Sequence, residues 1–519
     1  MKLPSIKGRS PAQDRLTQWR GLNLTDGAGK GEFSYMENMS SDRFPLLSPR
    51  KPRERVRQMA KANGFCLREK LLYVDGTQLF YGAEKIGTVT DSPKTFVSMG
   101  AYVYIFPDKL EFHTATGALV PMEASFSAKG IRYEASGLLE DEGSMYVKLM
   151  AEGIDTPFQK GDAIAISGFG KAELDGYHVI QETGAGYLKI IAALEGSGST
   201  AQTVTLRRHL PACDFWTAAD NRLWGCSSEN HEIYASKLGD AKNFYAYDGT
   251  AGAAYAATVA GDGDFTGAIT YLGHVMFFKE NSVHKIYGSK PSDFQVMEGR
   301  LRGVARGSER SLCIVNEVLY YLSPEGVMSF QGSLPYAVGD VLGKGFTKGV
   351  AGTVGDKYYI SMEQAGAYSL FVYDTAKGLW HREDATAVTA FQKDGARLYY
   401  LAENTLWLTE GTAAEQVEWL AETTPFTYQT PKAKAISRIT LRAELPYGSS
   451  LSLWVDYDSL GAWQPVQTVT PPVGGSITIP FLPAPCDHFR LRFGGCGRAA
   501  IHEMTLFLRE RGEGRRWQR

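Results

Sequence analysis

Apolar and polar residues alternate with a period of two along most of this chain. Runs such as Leu71 to Val74, Tyr102 to Phe106, Val275 to Phe278, Val318 to Leu322, Lys357 to Met362, Ser369 to Tyr373 and Arg397 to Leu401 read as strands. Turn residues divide them, as at Asp75-Gly76, Asp394-Gly395 and Pro324-Glu325-Gly326. No convincing stretch of ten or more residues carries apolar side chains at helical spacing. The pattern predicts an all-β chain.

The strands come in packets. "KLLYVDGTQLFYGAEKIGTV" (70–89) is strand, tight turn, strand, turn, strand; "EVLYYLSPEGVMSFQGSLPYAVG" (317–339) and "GARLYYLAENTLWLTEG" (395–411) repeat the plan. Packets are expected at 66–89, 94–122, 214–240, 265–297, 305–335, 349–384 and 388–420. A recurrence of roughly 35–50 residues is that of propeller blades, small antiparallel sheets that bury their faces against neighbours. The reading is a β-propeller of six or seven degenerate blades over 61–124 and 211–422, with a sandwich of packed sheets as the other arrangement the pattern allows.

Two segments break the period. Residues 125–210 contain "FQKGDAIAISGFGKAELDGYHVIQETGAGYLKIIAAL" and read as an inserted small β-barrel of five or six strands. A Thr/Pro-rich join at 423–431 opens a C-terminal β-sandwich, 423–509, followed by a basic tail, 510–519. The first sixty residues have little periodicity and carry 12 Lys/Arg against 6 Asp/Glu. They read as an extended N-terminal arm.

Composition narrows the classes. The chain has 519 residues, 44% hydrophobic and 22% charged, so it is globular. A formal net charge of -2 gives no whole-chain reason to expect a nucleic-acid binder. No apolar run approaches the ~18 residues that cross a membrane, and Met1 to Arg20 has no hydrophobic core of a secretion signal. Six scattered cysteines (Cys66, Cys213, Cys226, Cys313, Cys486, Cys496) form no CxxC pair and read as free thiols of a reducing compartment.

Catalytic signatures are missing from the linear sequence: no GxSxG, HExxH, calcium loop or Walker loop. "GAGKGE" (27–32) lacks the P-loop spacing, and "GFGKAELDG" (168–176) is a hairpin turn. Two carboxylate pairs are candidates for a cation or acid–base site, Asp262 with Asp264 and Asp456 with Asp458, because residues i and i+2 of a strand share a face. A solvated strand face or Asp in a turn is the commoner account of such pairs. Nine histidines show no ligand spacing. Trp216, Trp224, Trp454 and Trp463 could stack on sugars or fill cores. No cofactor, no metal and no enzymatic activity are expected.

Several segments together resemble a known family. "GLNLTDGAGKGEFSYMENMSSDRFPLLSPRKPR" (21–53) is similar to a recurring opening of phage virion proteins: Gly21-Leu22-Asn23, Gly31-Glu32, Met36-Glu37-Asn38-Met39-Ser40, then Pro45-Leu46-Leu47-Ser48-Pro49-Arg50. "NRLWGCSSENHEIYASKLGDAKNF" (221–244), "FKENSVHKIYGSKPSDF" (278–294) with "RGVARGSERSL" (302–312), and the C-terminal "LWVDYDSLGAWQPV" with "PAPCDHFRLRFGGCGRAAIHEMTL" extend the resemblance to phage and prophage tail proteins. The overall plan is similar to the tail-hub proteins of short-tailed phages, called stabilisation or nozzle proteins.

That resemblance implies a non-enzymatic virion protein in the phage tail, made in the bacterial cytoplasm. It implies a homo-oligomeric ring, six-fold by analogy, below the portal and adaptor. The ring would extend the DNA channel and carry fibres, spikes or tip proteins. Arg50, Lys51, Arg53, Arg55 and Arg57 are candidate contacts to DNA or a neighbouring subunit. A receptor- or glycan-binding tail-tip protein is the alternative, with Trp454, Asp456, Tyr457, Asp458 and Trp463 as the candidate sugar contact. A propeller glycosidase or lyase is the third reading. It needs convergent acids, Arg and aromatics at a propeller axis, which linear sequence does not display.

Overall fold

The computed structural model describes residues 12–138, 145–412, 416–429, 432–470 and 473–510. Parts of the expected arm, the Thr/Pro-rich join and almost all of the basic tail lie outside them. Strands dominate, with two single-turn 3-10 helices at Glu309–Ser311 and Asp340–Leu342 and no α-helix among the described residues. The chain divides into two compact units, one of Met59–Leu312 with Gly332–Pro335 and the other of the remainder.

The first unit holds four antiparallel four-stranded sheets. Sheet I spans 62–88, sheet II 95–121, sheet III 215–258 and sheet IV 267–300, each with its strands in chain order. Alternation explains them. In Tyr102–Phe106 the buried Val103 and Ile105 face one way while Tyr104 faces the other. Val103 and Ile105 pack with Leu72, Val74 and Leu79 of sheet I; Tyr104 and Phe106 pack with Leu223 and Tyr234 of sheet III. Trp224 and Cys226 of sheet III then pack with Val275 and Phe277 of sheet IV. Sheets II and III therefore bury both faces against their neighbours.

Residues 124–208 are set into this unit between sheets II and III. The expected single barrel is instead nine strands in two sheets, one of four and one of five. They enclose sixteen buried apolar residues, Ile164, Leu188 and Leu206 among them. At about 1.5–3 kcal/mol for each large buried apolar side chain, that is a core of its own. The insert is nevertheless fastened to sheet III. Fully buried Asp162 accepts from Arg208 Nη1 at 2.5 Å and from Asn243 Nδ2 at 3.1 Å, and Asn243 Oδ1 accepts from the Ala163 amide at 2.8 Å.

The second unit holds sheet V (313–337), sheet VI (347–384) and sheet VII, whose strands Ala390–Asp394, Arg397–Ala402 and Thr405–Leu408 are completed by Glu54–Gln58 from the leading segment. Tyr320 of sheet V lies against Tyr358 of sheet VI, with ring centroids 5.4 Å apart. Tyr359 and Val372 of sheet VI pack with Leu398 and Tyr400 of sheet VII.

The C-terminal sandwich is also a joint product of both chain ends. One sheet orders Ala12–Leu16, Ala500–Glu510, Lys434–Leu445 and Val473–Pro480. The other orders Gly21–Leu22, Glu32–Glu37, Glu418–Thr423, Phe489–Cys496, Ser450–Tyr457 and Gln464–Val469. Two expectations change here. The leading segment is not a free arm from Ala12 onwards but three strands of the sandwich and the last strand of sheet VII. The packet expected at 388–420 ends at Leu408 as a sheet, and Glu418–Thr423 belongs to the sandwich.

Candidate functional site

The segment that carries the family resemblance is a strap within the second unit, and its residues are held for definite reasons. Gly21 has φ +85°, and a Cβ there would collide with the carbonyl oxygen of Trp380. Asn23 is buried; its Nδ2 donates to Glu32 Oε2 at 3.0 Å, and its Oδ1 accepts from the Thr25 amide at 3.0 Å. Asn38 adopts φ 56°, a conformation Asn tolerates better than most side chains. Its Nδ2 donates to the Glu418 carbonyl at 2.8 Å and its Oδ1 accepts from Arg50 Nε at 2.8 Å. Met36 and Met39 are buried.

The basic cluster after the strap divides in two. Arg53 is 10% exposed and ion-paired at 2.6 Å with both Glu383 and Asp384 of sheet VI. Its guanidinium lies over the Tyr400 ring at 5.2 Å. Burial alone would favour losing the charge, but Glu383 and Asp384 outweigh it and hold the Arg53 pKa above its ordinary value. Arg50 approaches the same two carboxylates at 3.8 and 4.0 Å. Both arginines therefore fasten the strap to sheet VI. Lys51 pairs with Glu410 at 2.6 Å at the surface, and Arg55 and Arg57 stand exposed on the edge strand of sheet VII. Asn38, Arg50, Arg53, Tyr400, Trp407 and Glu418 line a pocket of about 350 Å³ beside this cluster.

Neither carboxylate pair is built as a site. Asp262 and Asp264 lie in an exposed loop before sheet IV, and Asp264 forms a surface ion pair with Arg306 at 2.7 Å. Asp456 is fully buried and receives Arg490 Nη2 at 2.6 Å. Asp458 lies past the strand end at φ 55°, where its Oδ1 accepts from the amides of Asp487 and His488. The strand stops at Tyr457, so the i, i+2 relation no longer puts the two acids on one face. No group of three or more His, Cys, Asp or Glu suited to a metal occurs among the described residues.

The aromatic candidates of the sandwich are largely covered. Arg490 and Arg492 lie over Trp463 at 5.0 and 4.1 Å, and Arg492 is itself paired with Glu422. Trp454 and Tyr457 are half-buried. A sugar would have to displace paired guanidiniums to stack on the covered face of Trp463. Sequence reasoning passed over a different aromatic group, Tyr177, Tyr245 and Tyr247 in the first unit. The visible signal was "FYAYDG" (244–249), two tyrosines bracketing one alanine just before a turn.

Comparison with known proteins gives distant matches alone. No protein-family model matches the chain, and no curated protein does. Among solved structures, "KlHsv2 with loop 6CD replaced by a Gly-Ser linker" matches with 10% identity and a TM-score of 0.27, over 62% of this chain and 97% of that one. The phage phi92 endosialidase matches with 10% identity and a TM-score of 0.16, over 78% of this chain and 54% of that one. The exo-beta-1,3-galactanase of Phanerochaete chrysosporium matches with 8% identity and a TM-score of 0.18, over 72% and 95%.

One expectation is overturned here. Two of these structures are enzymes, an endosialidase and a galactanase, so missing catalytic motifs in the linear sequence do not make this chain a non-enzyme. At such scores the likenesses assign it neither a reaction nor a substrate.

Proposed function

We propose that the chain is a tail protein of a phage or prophage virion, with the four-stranded sheets I to VII as propeller blades and a C-terminal sandwich. The observation that carries this reading is the strap. Among the residues on which the resemblance to phage virion proteins rests, Gly21 lies against Trp380 of sheet VI, Arg50 lies beside Glu383 of sheet VI, Asn38 donates to Glu418 of the sandwich, and Asn23 and Glu32 bond to each other within the strap.

In this reading the protein assembles as a ring, six-fold by analogy, between portal and adaptor above and fibre, spike or tip proteins below. Its stiffness comes from sheets that bury both faces. Arg55 supplies exposed positive charge toward DNA or an acidic neighbour, with Lys51, paired to Glu410, and Arg57 beside it, while Arg50 and Arg53 hold the strap. No helix among the described residues is long and apolar enough to cross a membrane. Quantitative mass spectrometry of gradient-purified particles tests the proposal. A fixed copy number relative to the portal subunit is expected. Particles that lack the chain, with the protein confined to the soluble lysate, would overturn it.

A further inference from the structure

Three tyrosines and a histidine meet at the surface where the insert joins sheet III. Tyr177 comes from the insert strand Gly176–Val179. Tyr245 and Tyr247 come from the loop between the third and fourth strands of sheet III, and His209 from the segment leaving the insert. The Tyr177 and Tyr245 rings are stacked, with centroids 4.4 Å apart and planes 20° off parallel. His209 lies 4.9 Å from Tyr245, and its Nε2 is 3.2 Å from the Tyr177 hydroxyl. Tyr247 stands at 90° to Tyr245 with centroids 6.4 Å apart.

The group is open to solvent yet fixed in place. Tyr177 is 49% exposed and Tyr247 52% exposed. Between the two loop tyrosines Ala246 is fully buried, packed with Ala163 and Ala254, so the loop is anchored from below. Asn243, two residues earlier, is tied into the buried Asp162–Arg208 network. Ring positions set in this way lose little conformational freedom on binding. Core packing does not account for two half-exposed rings, Tyr177 on the insert strand and Tyr247 on the anchored loop.

The geometry points to a glycan-binding site, and we infer that Tyr177 and Tyr247, braced by Tyr245 stacked against Tyr177, form an aromatic platform for a neutral oligosaccharide. A pyranose offers an apolar C–H face to a ring and hydroxyls at its edge, which suits tyrosine, apolar in body and polar at the tip. The charge nearby is of both signs, since Arg207 and Lys109 act on His209 and Lys237 acts on Asp248. Asp248 follows the platform directly and Glu232 accepts from the hydroxyl of Tyr234, whose ring is 6.4 Å from Tyr245. With both signs present, no net positive field selects a sialylated or sulfated ligand, and the carboxylates can accept from sugar hydroxyls. The inference stands on the tyrosine geometry and holds whether or not the chain resides in a virion.

The test uses the full chain and a printed panel of neutral oligosaccharides alongside sialylated and sulfated ones, followed by calorimetry with the best neutral binder. Neutral binding is expected, weakened by about tenfold in Tyr177→Ala and in Tyr247→Ala, the loss of roughly one aromatic contact. Tyr247→Phe should retain most of the affinity and Trp463→Ala all of it. Thermal denaturation of each variant separates lost binding from lost folding, and the conservative Tyr247→Phe keeps the test valid if an alanine variant misfolds. No neutral binding, binding of acidic glycans alone, or affinity unchanged in both alanine variants would overturn the inference. So would a wild-type dimer that Tyr247→Ala dissociates, because a second copy would then be the occupant.

Discussion

At the scale of single residues, His381 governs a measurable response to pH. It is buried in sheet VI, and burial first, then the nearby Lys357 charge, pushes its pKa down to about 3 against the opposing pull of Asp42 and Asp374. Lys377 adds to the repulsion. The unfolded chain binds this proton near pH 6.5 and the folded chain does not. Stability attached to the neutral imidazole is therefore present above about pH 6.5 and is lost as pH falls toward 3. Denaturant unfolding at pH 7 and pH 5 should show the wild type losing about 2 kcal/mol more than His381→Gln. Equal losses would show that His381 is not buried neutral.

The same scale shows how much of the candidate site could be read beforehand. The basic run Arg50 to Arg57 was legible as charge but not as two classes, because Glu383 and Asp384, which bind Arg50 and Arg53, lie some 330 residues away. Asp456 and Asp458 satisfied a strand rule that fails one residue past the strand end. The tyrosine platform was visible only as an unexplained Tyr-Ala-Tyr. Its third ring, Tyr177, belongs to a separate segment.

At the scale of elements, two-residue alternation reveals strands with one buried face and misses those without. Residues Glu54–Gln58 are exposed along their whole length, so charge conceals an edge strand. Its partner is distant as well. Gln58 pairs with Thr405, and the Thr405 hydroxyl donates to Gln58 Oε1 at 2.6 Å. The double variant Gln58→Cys, Thr405→Cys should form one disulfide on oxidation and raise the melting temperature by several degrees. A cross-link closing so long a loop is worth about 6 kcal/mol in the chain-entropy account, before any native-state strain. Free thiols after oxidation, by mass measurement, would show that the leading segment does not complete sheet VII.

At the scale of the whole molecule, the sequence carried the order of parts better than their joins. Seven four-stranded sheets follow the alternation along the chain, the last of them ending at Leu408 and completed by Glu54–Gln58. The sandwich was the exception. Its outer strand pairs Leu16 with Met504, and such a ladder leaves no trace in local periodicity. The strap that joins the two chain ends is also the segment that resembles phage virion proteins, which ties assembly of the fold to the proposed role.

That role places the protein at one level of a phage tail. Immunogold electron microscopy on particles from an induced source strain, with antibody raised against the folded full-length chain, tests it most directly. Gold confined to a single level just below the capsid is the result this account predicts. Particles without gold, alongside a reactive soluble fraction, would contradict it.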